Sequence, residues 1–176
     1  MTSFPSDRHV QRRVTVLCFL LYLPLGLARY NYSACLLALL AAEPFSRAAA
    51  GFIGTVSFFA FALGTALSGF VADRASSRRL VFAALLVSAL SNLVFYCTRS
   101  YAVMLVAWAV NGLSHGPVFS CVMRLLSACY PRERVTGASI AIQCAFFVGM
   151  GLAYALSALL IRFCSWREAF LAAAVA

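Results

Sequence analysis

The sequence has no lysine and only five acidic residues, so its formal charge of +9 comes from fourteen arginines. Charged residues make up 11% of the chain and apolar residues 64%. Soluble domains average about 25% charged residues and about 45–50% apolar residues. This composition excludes a disordered chain and disfavours a water-soluble nucleic-acid-binding protein, in spite of the basic balance. The mean hydropathy of +0.92 instead predicts a protein whose main partner is the lipid bilayer.

The sequence also lacks the motifs that enzymes and metalloproteins use. It has no catalytic dyad, no glycine-rich phosphate loop, and no cysteine or histidine spacing that suits a metal ion. The seven cysteines lie mostly within apolar runs, where small buried apolar side chains are the expected reading. We therefore predict a protein that is not an enzyme and that uses no cofactor, metal or nucleic acid.

Charged residues divide the chain into continuous apolar runs. A membrane span needs about 20 apolar residues, and continuous runs favour helices over barrel strands, whose residues alternate. We predict an N-terminal tail over 1–13 and a transmembrane domain over 14–176, with spans at about 14–42, 48–72, 80–98, 102–129, 135–161 and 167–176. Because the sixth run is still apolar at Ala176, we expect a truncated sixth helix and a longer natural protein. A half-length protein that pairs with a second copy is the alternative.

The distribution of arginines predicts the orientation. If the N-terminus lies inside, the inner segments carry eight arginines and the outer segments carry four. Positive residues favour the cytoplasmic side, so a cytoplasmic N-terminus is predicted. A plasma or inner membrane is the first choice, and an organelle membrane stays an alternative.

Two spans carry small residues at every fourth position, a spacing that lets helices approach closely in a membrane. The fifth span has Gly137, Ala141, Ala145, Gly149, Ala153 and Ser157, and the second has Ala60, Gly64, Ser68 and Ala72. We predict that both helices pack closely against neighbours. Such rows indicate packing and would suit a static bundle as well as a carrier.

Arg29 lies in the middle of the first apolar run, where a charge costs about 2.5–3.5 kcal/mol on insertion scales. The five acids all lie at span ends or in the tail, so none can reach Arg29 at mid-membrane. The pattern predicts an anionic solute bound by Arg29; pairing with carbonyl groups, or with an acid outside this chain, is the alternative. Polar residues at helical spacing in the same and other spans complete the predicted site: Tyr22, Ser33, Asn111, His115 and Gln143.

The segment from Gly69 to Arg79 resembles the signature loop of the major facilitator superfamily. Gly69 would permit close helix approach, Asp73 would accept hydrogen bonds from a neighbouring helix end, and the arginines would pair with acids. Together with other charged residues near the same ends, these form a predicted cytoplasmic gate: Gly69, Asp73, Arg74, Arg78, Arg124, Glu133 and Arg134. An ordinary positively charged inner loop is the alternative reading.

Further segments resemble the same family. Pro131–Arg134 is similar to its loop between helices four and five, and Trp166–Phe170 is similar to the start of its sixth helix. Arg29–Ala34 resembles the first helix of branches that carry organic anions, and Asn111–Gly116 is similar to the organophosphate:phosphate antiporter branch, in which the first-helix arginine contacts the substrate phosphate. The resemblance implies an all-α membrane protein with a six-transmembrane-helix bundle: the N-terminal half of a major facilitator fold, with two inverted three-helix repeats.

The function that the resemblance implies is secondary transport of a small organic anion, of the sugar phosphate or carboxylate type, by alternating access. It also implies a missing C-terminal six-helix half as partner. A carrier of neutral or mixed solutes is one alternative, and a non-transporting receptor or scaffold is another.

Overall fold

The computed structural model describes residues 8–74 and 76–176, with the side chains of residues 70–74 outside the description. The described residues form helices joined by short connections. The helices are α1 (Arg8–Ala42), α2 (Arg47–Arg74), α3 (Ser77–Cys97), α4 (Tyr101–Cys129), α5 (Arg132–Phe163) and α6 (Glu168–Val175). The predicted all-α, six-helix architecture is confirmed, and α1 begins within the segment that the sequence analysis assigned to the tail.

Local sequence explains several helix ends. The Ser46 hydroxyl accepts a hydrogen bond from the backbone N–H of Ala49 at 3.0 Å, which caps the start of α2. Tyr130 has extended backbone directly after α4, because Pro131 restricts the residue before it to non-helical conformations. Pro24 lies inside α1, which runs as one helix from Arg8 to Ala42.

The helix surfaces suit a lipid environment. Five helices, α1 to α5, are long and apolar enough to cross a membrane. Large apolar side chains remain exposed on them, including Leu37 at 81% and Phe59 at 73%. In water such a surface would promote aggregation, whereas in hydrocarbon it costs nothing.

The most extensive helix contacts are α1 with α5 and α2 with α4. If α1, α2 and α3 correspond to α4, α5 and α6, the α1–α5 pair corresponds to the α4–α2 pair. Two related three-helix repeats require this correspondence. Glycines make both crossings close. A Cβ on Gly149 of α5 would collide with the Leu23 carbonyl of α1, and a Cβ on Gly116 of α4 would collide with the Gly64 backbone of α2.

The small-residue rows meet their neighbours over part of their length. In α5 the buried members are Ala145, Gly149, Ala153 and Ser157, whereas a Cβ on Gly137 would meet nothing within 4 Å. Gly69 near the end of α2 is likewise open toward the described residues. The close helix approach expected at Gly69 stays a prediction, and the α2–α4 crossing among the described residues lies further back, at Gly64.

One end of the bundle is fixed by an ion pair. The Arg167 guanidinium donates to the Glu43 carboxylate at 2.6 Å and to the carbonyls of Tyr96 and Thr98 at 2.8 and 2.7 Å. These contacts tie the connection after α1, the end of α3 and the start of α6. At the opposite end, the Gln11 side-chain amide donates to the Cys129 carbonyl, which joins the start of α1 to the end of α4.

Candidate functional site

Arg29 lies partly buried on α1 at the wall of a cavity of about 350 Å³. Residues of α1, α2, α4 and α5 form this wall: Tyr22, Leu25, Arg29, Tyr30, Phe61, Thr65, His115, Phe119, Gln143, Phe146 and Phe147. A volume of this size suits a small organic molecule. The cavity has aromatic walls and a few polar groups, and we call it the arginine cavity.

The Arg29 guanidinium contacts aromatic rings. Its central carbon lies 3.6 Å from the centroid of the Phe61 ring and 5.5 Å from that of Phe58. A ring face attracts a cation by about 0.5–2 kcal/mol, so the two phenylalanines offset part of the cost of burying the charge. Within the part of the chain that the structure describes, Arg29 has no ion pair or hydrogen bond, and no carboxylate lines the arginine cavity. Its five N–H donors therefore stay available to a ligand.

Three other residues predicted for the site lie on the same wall. Tyr22 from α1, His115 from α4 and Gln143 from α5 all line the arginine cavity. Ser33 lies one helical turn beyond Arg29 and lines a neighbouring cavity of about 20 Å³. The α1–α5 crossing at Gly26 and Gly149 explains the convergence, since it brings the Tyr22–Arg29 face of α1 against the part of α5 that carries Gln143 and Phe146.

Asn111 is buried behind the cavity wall, in a hydrogen-bonded network that joins α1, α3 and α4. Its side-chain amide donates to the Ala28 carbonyl at 3.2 Å, and its side-chain oxygen accepts from Ser88 at 2.8 Å. The Ser88 hydroxyl also lies 3.0 Å from Nε2 of His115. This network anchors α1 at the residue that precedes Arg29.

Three members of this network were not predicted from the sequence: Asn31, Ser88 and Asn92. Asn31 donates to the Asn92 side chain at 2.7 Å, and Asn92 donates to the Ser88 carbonyl at 2.9 Å. Ser88 and Asn92 lie four residues apart within an uncharged, mostly apolar run. That spacing places them on one helix face and could have identified them.

The predicted gate residues lie at the end of the bundle where α1 begins. Arg78, Arg124, Glu133 and Arg134 are exposed there, and Arg134 lines a cavity of about 500 Å³ together with Arg8, Arg12 and Tyr130. The side chains of Asp73 and Arg74 lie outside the described residues. For Glu133 the described part of the chain records no ion pair.

This arrangement can bind an anion. A guanidinium matches the planar oxygen pairs of phosphate and carboxylate, and the partly dry aromatic wall strengthens such a contact relative to water. The residues show no group of three metal-binding side chains over the described part of the chain. The guanidinium, the aromatic rings and the few polar groups of the arginine cavity suit a charged, partly polar small molecule.

Comparison with known proteins agrees with this architecture. A sequence model of the Major Facilitator Superfamily matches residues 6–176. A "Probable hexose phosphate transport protein" from Chlamydia pneumoniae is 25% identical over 158 residues, which cover 89% of this chain and 34% of that protein. A protein with the same description from Chlamydia trachomatis is 24% identical over 163 residues, which cover 92% of this chain and 36% of that protein. The "Membrane sensor protein UhpC" of Escherichia coli K12 is 25% identical over 130 residues, covering 74% and 30%.

The chain thus spans about a third of the length of these relatives. The family match, in contrast, extends over almost the whole chain, and it agrees with the five spanning helices and the exposed apolar surface. The chain is an integral, multi-pass membrane protein that belongs to the Major Facilitator Superfamily.

Proposed function

We propose that this chain forms the anion-binding part of a secondary carrier whose substrate is a small organic anion of the sugar phosphate type. The observation that carries the proposal is Arg29: its guanidinium lines a cavity that holds no carboxylate among the described wall residues. Two relatives are described as probable hexose phosphate transport proteins, which supports a phosphate ester over a simple carboxylate.

The carrier would work by alternating access. The arginine cavity is partly open, and in secondary transporters a substrate site lies near the bilayer midplane between two structural repeats. A second six-helix half would close the open side. Asp73, Arg74, Glu133 and Arg134 would then form and break ion pairs at the end where α1 begins.

The test is counterflow of labelled hexose phosphate in proteoliposomes, with the protein produced from its complete gene. Arg29→Ala is expected to lower exchange at least about a hundredfold. The variant removes the only charged partner that the described wall residues offer the anion, which then lies uncompensated in the cavity. Arg47→Ala is the matched control, since Arg47 is exposed at the start of α2. Normal exchange by Arg29→Ala would contradict the proposal.

A second candidate function is a membrane receptor that binds the anion and does not translocate it. The similarity to a protein described as a membrane sensor supports it. Binding of hexose phosphate with no counterflow would favour this candidate. If the protein bound no anion at all, a carrier of neutral or mixed solutes would remain, with Arg29 paired to an acid outside this chain.

We also propose that the N-terminus faces the cytoplasm, in a plasma or inner membrane. Arg8, Arg12, Arg13, Arg78, Arg79, Arg132 and Arg134 lie at the end where α1 begins, which suits the cytoplasmic side. The exposed thiol of Cys164, after α5, lies at the other end. In intact cells a membrane-impermeant maleimide should label Cys164 and leave the Cys164→Ser variant with less label. Equal labelling of the two proteins would contradict this orientation.

A further inference from the structure

The network behind the arginine cavity fixes which nitrogen of His115 carries a proton. The Ala28 carbonyl can only accept, so the Asn111 amide nitrogen, 3.2 Å away, must face it. The Asn111 oxygen therefore faces Ser88 and accepts its hydroxyl hydrogen at 2.8 Å. Because Ser88 has one hydroxyl hydrogen and has already used it, its oxygen can only accept from the nitrogen of His115 that lies 3.0 Å away. Nε2 of His115 is thus the donor.

The other nitrogen of the ring, Nδ1, has no partner among the described residues. When Nε2 of a neutral imidazole carries the hydrogen, Nδ1 is a hydrogen-bond acceptor. Nδ1 of His115 is buried and makes no hydrogen bond with any described residue, and the side chain is 2% exposed. A buried acceptor without a donor is unfavourable, so a ligand group that supplies a donor here removes this cost in addition to making its own contacts.

We infer that His115 is a specificity-determining residue of the arginine cavity and that its Nδ1 accepts a hydrogen bond from a hydroxyl of the bound anion. The inference rests on the proposed function and names the substrate class more closely. Arg29 would hold the negative group, and His115 would distinguish a hydroxylated phosphate ester from inorganic phosphate or a plain alkyl phosphate. A buried polar group rejects a ligand that lacks its partner, since the unpaired group then stays unpaired.

The position of His115 suits this role. It lines the same cavity as Arg29 and lies on α4, a different helix from the one that carries the guanidinium. Phe119 lies one helical turn further along α4, lines the cavity and is 42% exposed. Because Nδ1 is covered in this structure, the proposed contact requires the adjoining wall to shift before a ligand hydroxyl reaches it.

Two substitutions separate the two nitrogens. The amide of His115→Gln reaches the Nε2 position, so it can still donate to Ser88 and keep the network, while nothing replaces Nδ1. The shorter amide of His115→Asn reaches the Nδ1 position and leaves Ser88 without its donor. His115→Gln therefore removes the proposed ligand contact alone, and His115→Asn removes the contact to the network.

The experiment is calorimetric titration of the full-length protein in detergent with three probes: inorganic phosphate, propyl phosphate and glycerol phosphate. The two esters share the phosphate and differ by two hydroxyls. We expect the wild type to bind glycerol phosphate about tenfold more tightly than propyl phosphate, the difference that one hydrogen bond to a buried acceptor makes. In His115→Gln this preference should disappear, with inorganic phosphate affinity within about twofold of the wild type, whereas His115→Asn should keep part of the preference.

Two results would overturn the inference alone: an unchanged preference in His115→Gln, or an equal loss of affinity for all three probes in that variant. A wild-type protein that binds none of the probes, or an Arg29→Ala variant that binds them normally, would overturn the proposed function and the inference with it.

Discussion

Two arginines of this chain lie in contrasting surroundings. Arg167 donates to one carboxylate and two carbonyls, and its guanidinium lies 4.6 Å from the Trp166 ring. Arg29 has the aromatic contact with Phe61 but neither the carboxylate nor the carbonyls within the described residues. Both side chains are partly buried, so burial by itself does not separate them.

What separates them is how many of their donors are used. An arginine whose donors are filled by the protein holds helix ends together and has little left for a ligand. An arginine that contacts only rings keeps its N–H groups for an anion, and the rings lower the cost of keeping it charged in the meantime. The contrast predicts that changing Arg29 alters binding, whereas changing Arg167 alters stability.

The strongest test of this contrast gives Arg29 the carboxylate that Arg167 has. Gln143→Glu adds an acid of nearly the same shape to the wall of the arginine cavity. The new carboxylate should occupy the guanidinium and repel an anionic substrate, lowering hexose phosphate affinity about a hundredfold, which corresponds to about 2.7 kcal/mol. Titration of the purified protein measures it. Gln143→Met, which is neutral, is the control and should lose less than about tenfold; equal losses in the two variants would contradict the electrostatic reading.

The next test removes Arg167, whose N–H donors are used by the protein itself. Arg167→Ala leaves the partly buried Glu43 carboxylate and two carbonyls without their donor, and should lower the free energy of unfolding by about 2 kcal/mol. Thermal unfolding in detergent should show a lower Tm, while anion affinity stays within about twofold of the wild type. Arg162→Ala, an exposed arginine near the end of α5, is the control with no expected change in Tm. A large loss of anion affinity in Arg167→Ala would remove the contrast between the two arginines.

A smaller effect is expected from the ring beneath Arg29. Phe61→Leu keeps an apolar side chain but removes the aromatic face 3.6 Å from the guanidinium. The lost cation–π contact is worth about 1 kcal/mol. Anion affinity should therefore fall about fivefold, because Arg29 loses its fixed position. Phe59→Leu is the matched control, because Phe59 is 73% exposed on the same helix. The same response from both variants would show that the ring does not position Arg29.

The sequence was sufficient for the helices because the bilayer leaves few alternatives. A continuous apolar run must satisfy its backbone within one helix, so run length predicts each span closely. The small-residue row of α5 also predicted a real crossing. It could not show where along the row the crossing lies, since that depends on the angle between α1 and α5: Gly149 is in contact, and Gly137 is open.

The site was partly predictable for a related reason. One charge within an apolar run is a strong signal, and Arg29 was identified by that alone. The contact with Phe61 was not, because the chain has 15 phenylalanines and sequence does not say which ring faces the guanidinium. The spacing of Ser88 and Asn92 places both on one face of α3, but it does not show which helices that face meets, so the network across three helices could not be derived from it.

The smallest expected effect defines the edge of the arginine cavity. Ser33 was predicted to contact substrate, and it lines the small neighbouring cavity, which shares Arg29 and Tyr30 with the arginine cavity. We expect the substrate to occupy the arginine cavity, so removing the Ser33 hydroxyl should change affinity less than about twofold, within the range of ordinary surface substitutions. Titration of Ser33→Ala with hexose phosphate measures it, with Tyr22→Phe as the comparison, since Tyr22 lines the arginine cavity itself. A loss of affinity in Ser33→Ala greater than that in Tyr22→Phe would show that the substrate occupies both cavities. The free donors of Arg29 would then serve a larger binding site than the arginine cavity alone.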